Sequence, residues 1–373
     1  MFNRWFSSSR EQAISRGVEN TLLSLFRAWG YQEVDTPILE ASSVQRDGAF
    51  RIIDQANQVI SLRPDFTRAI ATEAATIGQK LQRCSYYGSV FRRPEAGAEG
   101  LQVLRQAGVE LLGAPPPWAD VEVIALAIDS LLALGLKEPK VALSHSGFLR
   151  CLFQECDLSE VAERRLLAAL MQRDLVSFQQ LVNQLGESAN RLGALPGLCG
   201  ELSLLGKAGD LANTAPAMAA LAELEATLRC LCDLGYQPYL QLNLGLVSPL
   251  DYYSGVMFEA YVPGAGGPVI TGGRYDALLR ASDVDLPATG FAVMVDQLIP
   301  VLPAATKARF AFDGPDFNLL PEPGAETNAL QLASELRHAG FTAEVCLGPT
   351  DPPAHVPLGR MVLVSKEGVA NDG

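Results

Sequence analysis

Three tyrosines and a pair of glycines in residues 245–279 carry the clearest chemical signal in the sequence. Tyr252 and Tyr253 precede a segment that alternates with strand period, and a glycine- and proline-rich turn then leads into a second short strand. Gly272–Gly273 follow, and they remove two Cβ atoms where the backbone must bend sharply or approach a ligand. With Tyr275 beside them, the tyrosines supply flat faces and hydroxyl groups. The segment therefore predicts a hairpin around a ligand pocket.

Two earlier segments hold polar residues that could serve the same pocket. Asp65 and Thr67 stand where a predicted strand becomes a helix, a position suited either to binding a ligand ammonium group or to capping the helix. Gln106 and Glu110 have even spacing in a predicted strand, so their side chains project from one face. The alternative for this strand is a solvated edge hairpin with no binding role.

The composition is that of a globular chain. Its 373 residues are 48% hydrophobic, enough for one large domain or two ordinary ones. No apolar run reaches the roughly 18 uncharged residues of a membrane span. The N-terminal residues contain no apolar segment typical of a secretory signal. We therefore expect a cytoplasmic protein that does not contact a membrane.

Charge and cysteine content count against a nucleic-acid-binding, disulfide-bonded or metal-binding protein. The 42 acidic residues exceed the 29 basic ones, which gives a net charge of −13 and counts against nucleic acid as a partner. The seven cysteines include no CxxC pair, and the chain has only three histidines. We expect reduced thiols, no metal site and no cofactor.

Hydrophobic periodicity and turn residues place these motifs within an alternating set of helices and strands. The predicted elements, in chain order, are a helix from Ser9 that ends at Gly30, a strand in 31–40, a strand and helix in 59–80, a strand pair in 86–113, a helix over 121–136 and a strand at 141–143, a mostly helical region over 145–235, the hairpin at 256–271, a block at 288–298, a helix over 326–339, and strands at 343–347 and 361–364.

Several blocks in this order resemble the histidyl-tRNA synthetase family of class II aminoacyl-tRNA synthetases. DYYSG at 251–255 and GGRYDALL at 272–279 resemble the second histidine motif of that family, LDYYTG followed by GGRYDGL. LRPDFT at 62–67 resembles its LRPEGT block, with Asp65 in place of the usual glutamate. The strand pair at 86–113 resembles motif 2 of class II synthetases, and the first helix and strand with Pro37 resemble motif 1.

The resemblance implies an α+β fold: an antiparallel class II synthetase-like sheet flanked by helices. It places this domain at 1–303, a helical insertion at about 145–235 and a short C-terminal αβ segment at 304–373. In the family, an insertion at this position contacts tRNA. Here it holds eleven acidic and seven basic residues, which favours helix packing over RNA binding.

The resemblance also implies a pocket for histidine. A carboxylate and a phenol can hold an imidazole, and a carboxylate, a hydroxyl and an amide oxygen can hold an ammonium group. By resemblance, Arg92 lies near ATP phosphate and the amino-acid carboxylate, and Arg92 or Gln106 takes that carboxylate. The residues of this predicted histidine site are Asp65, Thr67, Arg92, Gln106, Glu110, Tyr252, Tyr253 and Tyr275.

Two arginines of the family pattern are missing from this chain. Ser248 occupies one arginine position, and Gln297 occupies the other, in a block at 288–298 that resembles motif 3. Adenylation needs preorganised positive charge on ATP, and each lost donor of this kind costs about 100- to 1000-fold in rate. We therefore expect no catalytic residues and no charging of tRNA.

The chain keeps the residues for the amino-acid part of the synthetase pocket and lacks those for the ATP part. In this it resembles the family of regulatory subunits of short-form ATP phosphoribosyltransferase, which are synthetase paralogues that serve histidine biosynthesis. This resemblance implies a hetero-oligomer with the catalytic subunit, activation of that subunit, L-histidine as allosteric effector, and self-association as a dimer. Two alternatives remain open: a pseudo-synthetase binding module with another partner, and an active histidyl-tRNA synthetase.

Overall fold

A computed structural model describes residues 9–41, 49–77, 81–92, 102–248, 252–280, 284–311, 315–347, 360–366 and 368–369. Residues 17–306 form one compact unit, and the described residues of 9–16 and 307–369 belong to a second. The Ala/Gly/Glu loop that the sequence predicts between the two strands of 86–113 lies outside the described residues.

The larger unit is built on a nine-stranded sheet and a separate three-stranded sheet. Its strands are β1 Gln32–Glu33, β2 Leu39–Ala41, β3 Arg51–Ile53, β4 Val59–Leu62, β5 Gln82–Arg92, β6 Gln102–Leu112, β7 Lys140–His145, β8 Cys199–Gly200, β9 Leu240–Asn243, β10 Val256–Tyr261, β11 Ile270–Arg274 and β12 Ala288–Met294. The large sheet has the order β1-β5-β6-β12-β11-β10-β7-β9-β8. Only β1–β5 and β7–β9 pair in parallel, so the sheet is mostly antiparallel, as predicted.

The helices include those predicted from the apolar periodicity of the sequence, together with three short ones between residues 275 and 311 that it did not predict. They are α1 Ser9–Ala28, α2 Thr67–Ile77, α3 Trp118–Ala133, α4 Ser146–Glu155, α5 Glu160–Met171, α6 Leu175–Gln184, α7 Leu204–Gly209, α8 Ala215–Asp233, α9 Asp276–Arg280, α10 Val295–Leu298, α11 Ala304–Phe310 and α12 Glu326–His338. Short 3₁₀ segments occur at Glu187–Gly197, Gln237–Tyr239 and Ile299–Val301. Within the described residues, no helix is long and apolar enough to span a bilayer.

The first helix follows the predicted amphipathic pattern. Val18, Leu22 and Phe26 recur every four residues and are fully buried, which places one apolar stripe of α1 against the sheet. Phe26 meets the ring of Phe291 on β12 edge to face, at a centroid distance of 5.9 Å. Gly30 ends the helix with a φ of +86°, a left-handed conformation that glycine adopts without steric cost.

Close packing between neighbouring strands explains the glycines of the predicted hairpin. Gly272 on β11 pairs with Phe291, and a Cβ at Gly272 would lie 2.6 Å from the carbonyl oxygen of Gly290 and 2.6 Å from the ring of Phe258. Only a residue without a side chain fits between these strands. The paired glycines therefore allow β10, β11 and β12 to approach each other.

The mostly helical region predicted for 145–235 is observed. It contains α4 to α8, with Gly186, Gly200 and Gly235 at breaks in left-handed conformations. Its core is formed by side chains such as Leu166, Phe178 and Leu224, all fully buried. The insertion is therefore a packed helical layer, and it adds β8 to the sheet edge next to β9.

The single strand predicted for 31–40 is wrong. The structure has two short strands there, β1 paired with β5 of the large sheet and β2 paired with β4 of the small one. Pro37 lies between them and has no backbone N–H for a ladder. The chain leaves one sheet and joins the other across this proline.

The smaller unit is a four-stranded sheet with α12. Its strands are β13 Phe317–Pro321, β14 Ala343–Val345, β15 Arg360–Ser365 and β16 Gly368–Val369, in the order β14-β13-β15-β16. Leu319, Ala329, Ala333 and Val364 form its buried core. The predicted helix and two strands are confirmed within small shifts of their ends, whereas β13 is an additional strand that the sequence patterns did not indicate.

A buried ion pair fixes the turn after β11 to the helix behind the sheet. The Arg274 guanidinium lies 3.0 Å from Asp120 Oδ1, and both side chains are at most 3% exposed. Asp276 accepts a hydrogen bond from Arg274 and a second from the backbone N–H of Ala288. The pair therefore positions Tyr275 between two fixed neighbours.

We predict that Asp120→Ala lowers the free energy of unfolding by about 3–5 kcal/mol, because it leaves most of a buried guanidinium charge uncompensated. Denaturant titration followed by circular dichroism measures this change. Glu225→Ala is the matched control, since Glu225 pairs with Arg229 on the exposed face of α8, and its loss should cost less than about 1 kcal/mol. Equal losses for the two variants would contradict the prediction.

Candidate functional site

A cavity of about 170 Å³ lies where β5, β6, β10 and the loop before it, β11 and β12 meet the start of α2. All eight residues of the predicted histidine site line it: Asp65, Thr67, Arg92, Gln106, Glu110, Tyr252, Tyr253 and Tyr275. They come from segments up to 210 positions apart in the chain, so the sheet order is what brings them together. Their binding role remains a prediction.

Glu110 lines the cavity and is 1% exposed. Its Oε1 accepts a hydrogen bond of 2.6 Å from the Thr67 hydroxyl, and its Oε2 accepts one of 2.5 Å from the Tyr275 hydroxyl. Gly290 pairs with Glu110 across β6 and β12, and a Cβ there would lie 2.0 Å from Oε2. The carboxyl group thus ties together α2, β6 and the turn after β11, and it needs a glycine on the facing strand.

Burial dominates the titration of Glu110. It raises the pKa of this carboxyl to about 8, the hydrogen bonds from Thr67 and Tyr275 lower it in part, and the charge of Asp65 raises it further. The carboxyl therefore titrates near neutral pH. A bound group that donates a hydrogen bond or carries positive charge will favour its ionised form.

Asp65 and Arg92 line the cavity and are held by the backbone around α2. Asp65 Oδ1 accepts a hydrogen bond of 2.9 Å from the backbone N–H of Arg68, which confirms the predicted capping role. Arg92 Nε donates to the carbonyl oxygen of Pro64 at 2.9 Å. On the opposite side, Gln106 Nε2 lies 3.2 Å from the sulfur of Met294. Polar groups of both signs thus surround one cavity.

Aromatic side chains form the apolar part of the wall. Tyr252 meets Tyr253 and Tyr275 edge to face, at centroid distances of 5.2 Å and 6.0 Å, and Phe66 stacks on Tyr86 at 4.3 Å. Burial raises the pKa of each of the three cavity tyrosines Tyr252, Tyr253 and Tyr275. Their hydroxyls therefore remain protonated at neutral pH and can donate hydrogen bonds.

The two positions without the family arginine differ in location. Ser248 lines the cavity, whereas Gln297 is exposed on α10. Among the described residues that line the cavity, Arg92 is the only cation, whereas three residues carry carboxyl groups, namely Asp65, Glu110 and Glu259. This charge balance suits a ligand with a positive group better than a triphosphate.

The lining residues outside the predicted eight include Glu259, Gly290 and Met294. Glu259 carries a usable signal, since it is the one charged residue in the apolar strand sequence VMFEAY. Gly290 and Met294 carry none, because their place in the cavity depends on the register of β12 against β6. Within the described ranges, no group of three or more His, Cys, Asp or Glu side chains is arranged to hold a metal ion.

We predict that Glu110 makes stability fall with rising pH. Its folded-state pKa of about 8 lies above the ordinary value of 4.5, so the folded state binds the extra proton between these values. The free energy of unfolding should decrease across this window by up to about 1.4 kcal/mol per pH unit relative to Glu110→Gln, and level off above pH 8. Urea titrations at pH 5 to 9 measure it, and parallel curves for the two proteins would contradict it.

Comparison with known proteins agrees with this geometry. The family model for histidyl-tRNA synthetase matches residues 7–298. ATP phosphoribosyltransferase regulatory subunits from Moorella thermoacetica and Symbiobacterium thermophilum are 35% and 38% identical to this chain, with 88% and 90% of the chain and 87% of each relative covered.

Solved structures show the same fold. A protein from Bacillus halodurans, described as an ATP phosphoribosyltransferase regulatory subunit/histidyl-tRNA synthetase, aligns with a TM-score of 0.82 at 29% identity, over 94% of this chain and 93% of that one. Histidyl-tRNA synthetase from Nostoc sp. PCC 7120 aligns with a TM-score of 0.78 at 16% identity, over 98% of this chain and 93% of that one, which supports the fold alone.

The class II synthetase fold predicted from the motifs is therefore confirmed. The family match covers most of the chain, and the relatives above 30% identity carry one shared description. The chain belongs to the histidyl-tRNA synthetase family and, within it, to the ATP phosphoribosyltransferase regulatory subunits.

Proposed function

We propose that this chain is the non-catalytic regulatory subunit of a short-form ATP phosphoribosyltransferase, that it binds and activates the catalytic subunit, and that free histidine acts through it as a feedback inhibitor. The observation that carries the proposal is the cavity around Glu110. It contains every residue of the predicted amino-acid site, but among its described lining residues a single cation. The names of its relatives supply the partner.

Histidine has three polar parts, and the cavity offers groups for each. Glu110 and Tyr253 suit the two imidazole nitrogens, because one can accept and the other donate a hydrogen bond. Asp65 suits the ammonium group at the start of α2. Arg92 and Gln106 are the groups available for the carboxylate, since Ser248 has no charge.

The chain lacks two of the arginines that catalyse adenylation in the synthetase family. The pentavalent phosphate that forms during adenylation needs preorganised cations, and removal of each costs about 100- to 1000-fold in rate. Ser248 and Gln297 remove two of them. The printed description of the Bacillus halodurans protein names both roles, but the substitutions in this chain favour the regulatory one.

Control by histidine requires only a difference in affinity between two states of the complex. Typical allosteric couplings of about 1–3 kcal/mol correspond to roughly 5- to 150-fold changes in affinity. A small cavity closed by a hairpin, a helix terminus and a sheet can supply such a difference, because its walls belong to separate elements.

Self-association is part of the proposal. The three-stranded sheet and its flank expose large apolar side chains, namely Ile38, Leu39, Ile52, Ile53 and Val59. This region includes the segment that resembles motif 1, which builds the dimer interface in class II synthetases. Burial of such a patch against a second copy fits a dimer.

We predict that histidine binds the purified chain and that Glu110→Ala weakens binding at least about tenfold, since it removes a buried acceptor of a charge-assisted hydrogen bond. Tyr253→Phe should weaken binding about 3- to 10-fold through loss of one hydrogen bond. In assays with the catalytic subunit, both variants should still activate at zero histidine while the inhibition curve shifts to higher histidine. Isothermal titration calorimetry and initial rates measure the two effects.

Glu225→Ala, on the exposed face of α8, is the matched control and should leave both curves unchanged. A chain that binds no histidine, or whose inhibition is unaffected by both cavity variants, would contradict a sensor in this cavity. A chain that neither binds nor activates the catalytic subunit would contradict the regulatory function itself.

A further inference from the structure

Glu259 lines the histidine cavity from β10 but was not part of the predicted site. Its side chain is 15% exposed. The hydroxyl of Tyr261 donates a hydrogen bond to its Oε2, and among the described residues no hydrogen bond reaches its Oε1. This oxygen is therefore available to accept a hydrogen bond from a ligand in the cavity.

The other two carboxyl groups of the cavity already have partners at both oxygens. Glu110 accepts hydrogen bonds at Oε1 and Oε2 from Thr67 and Tyr275. Asp65 accepts from the backbone N–H of Arg68 at Oδ1, and the guanidinium of Arg68 lies 3.9 Å from Oδ2. Among the three carboxyl groups of the cavity, Glu259 thus has an oxygen with no hydrogen-bond donor among the described residues. An ammonium group has three N–H donors and could supply one of them to this oxygen.

Arg173 links the same carboxyl group to the helical insertion. It lies in the turn between α5 and α6, and its Nη2 is 3.5 Å from Glu259 Oε2 and donates to the hydroxyl of Tyr261. Arg173 has a φ of +55°, a left-handed conformation that costs a non-glycine residue free energy, so its side-chain contacts help to hold the turn.

A second cavity, of about 380 Å³, lies between the insertion and the sheet and is also lined by Arg173, Glu259 and Tyr261. Glu259 therefore contributes to both cavities, with the amino-acid site on one side and the α5–α6 turn on the other. The second cavity means that the turn is not tightly packed against the sheet at this point. Movement of Arg173 needs no repacking of a filled core.

We propose that Glu259 binds the ammonium group of the amino-acid ligand together with Asp65, and that this binding weakens the contact between Glu259 and Arg173. The inference rests on the proposed function and adds a residue and a route to it. A cation in the buried cavity competes with Arg173, whose side chain is 64% exposed and thus screened by solvent. Ligand binding thereby changes a contact of the α5–α6 turn in the helical insertion.

The test compares L-histidine with 3-(imidazol-4-yl)propanoate, which keeps the imidazole and carboxylate but lacks the ammonium group. The wild-type chain should bind histidine at least about tenfold more tightly than this analogue. Glu259→Gln should remove most of that preference and leave affinity for the analogue unchanged within about twofold. Calorimetry on the full chain measures all four affinities.

Arg173→Ala separates a competing role from a merely structural one. Removal of the competing cation should raise histidine affinity about 1.5- to 5-fold and leave the analogue unaffected, since exposed ion pairs are weak. Arg164→Ala is the matched control, because Arg164 is an exposed arginine of α5 paired with Glu160. It should change neither affinity.

Hydrogen–deuterium exchange of backbone amides measures whether ligand binding changes the α5–α6 turn. Histidine should increase exchange in the α5–α6 turn of the wild-type chain, and this increase should be absent in Glu259→Gln. A Glu259→Gln variant that folds normally and keeps the full preference for histidine would overturn the inference while leaving the proposed function intact. A wild-type chain that binds neither ligand would overturn both.

Discussion

The candidate site depends on the burial of one carboxyl group, Glu110, on strand β6 of the nine-stranded sheet. A carboxyl group in this position is costly unless it is hydrogen-bonded, and each neighbour reflects that constraint. Thr67 reaches it from the start of α2, Tyr275 from the turn after β11, and Gly290 leaves room for it on the facing strand. The Arg274–Asp120 ion pair behind the sheet positions the turn that carries Tyr275. The candidate binding site and this folding constraint thus share the same residues, and the raised pKa of Glu110 follows from its burial.

The charge of the cavity explains how one fold serves a different task. A synthetase must hold an amino acid and a triphosphate side by side, which needs several cations. In this chain the described lining residues hold three carboxyl groups and one guanidinium group. Such a balance favours a zwitterion with a positive amino group over a polyanion. The helical region over 145–235 also has an acidic excess and a packed core. Binding and chemistry depend on different parts of such a site, so loss of cations removes the chemistry without removing the amino-acid side of the cavity.

The sequence predicted the sheet, the helical character of residues 145–235 and eight residues that the structure places around one cavity, since these segments carry strong turn and strand signals. The strand predicted for 31–40 was wrong because Pro37 divides it between two sheets, a choice made by distant pairing partners. Glu259 carried a signal as the one charged residue of an apolar strand, but its place beside the cavity depends on strand order. Gly290 carried none, because its distance from Glu110 depends on the register of β12 against β6. The apolar pattern of β13 is too short to distinguish a strand from a loop. Its strand conformation depends on pairing with β14 and β15. Local motifs could thus be predicted from the sequence, whereas pairing between distant strands could not.

The central claim is that this cavity holds histidine without activating it. The most direct measurement is histidine-dependent exchange of pyrophosphate into ATP, run beside a histidyl-tRNA synthetase as positive control and at histidine concentrations that saturate this chain in calorimetry. The account predicts saturable histidine binding with no exchange above background, because Ser248 and Gln297 provide no charge for the phosphates. Histidine-dependent exchange at rates near the control would contradict it and would make the chain a synthetase.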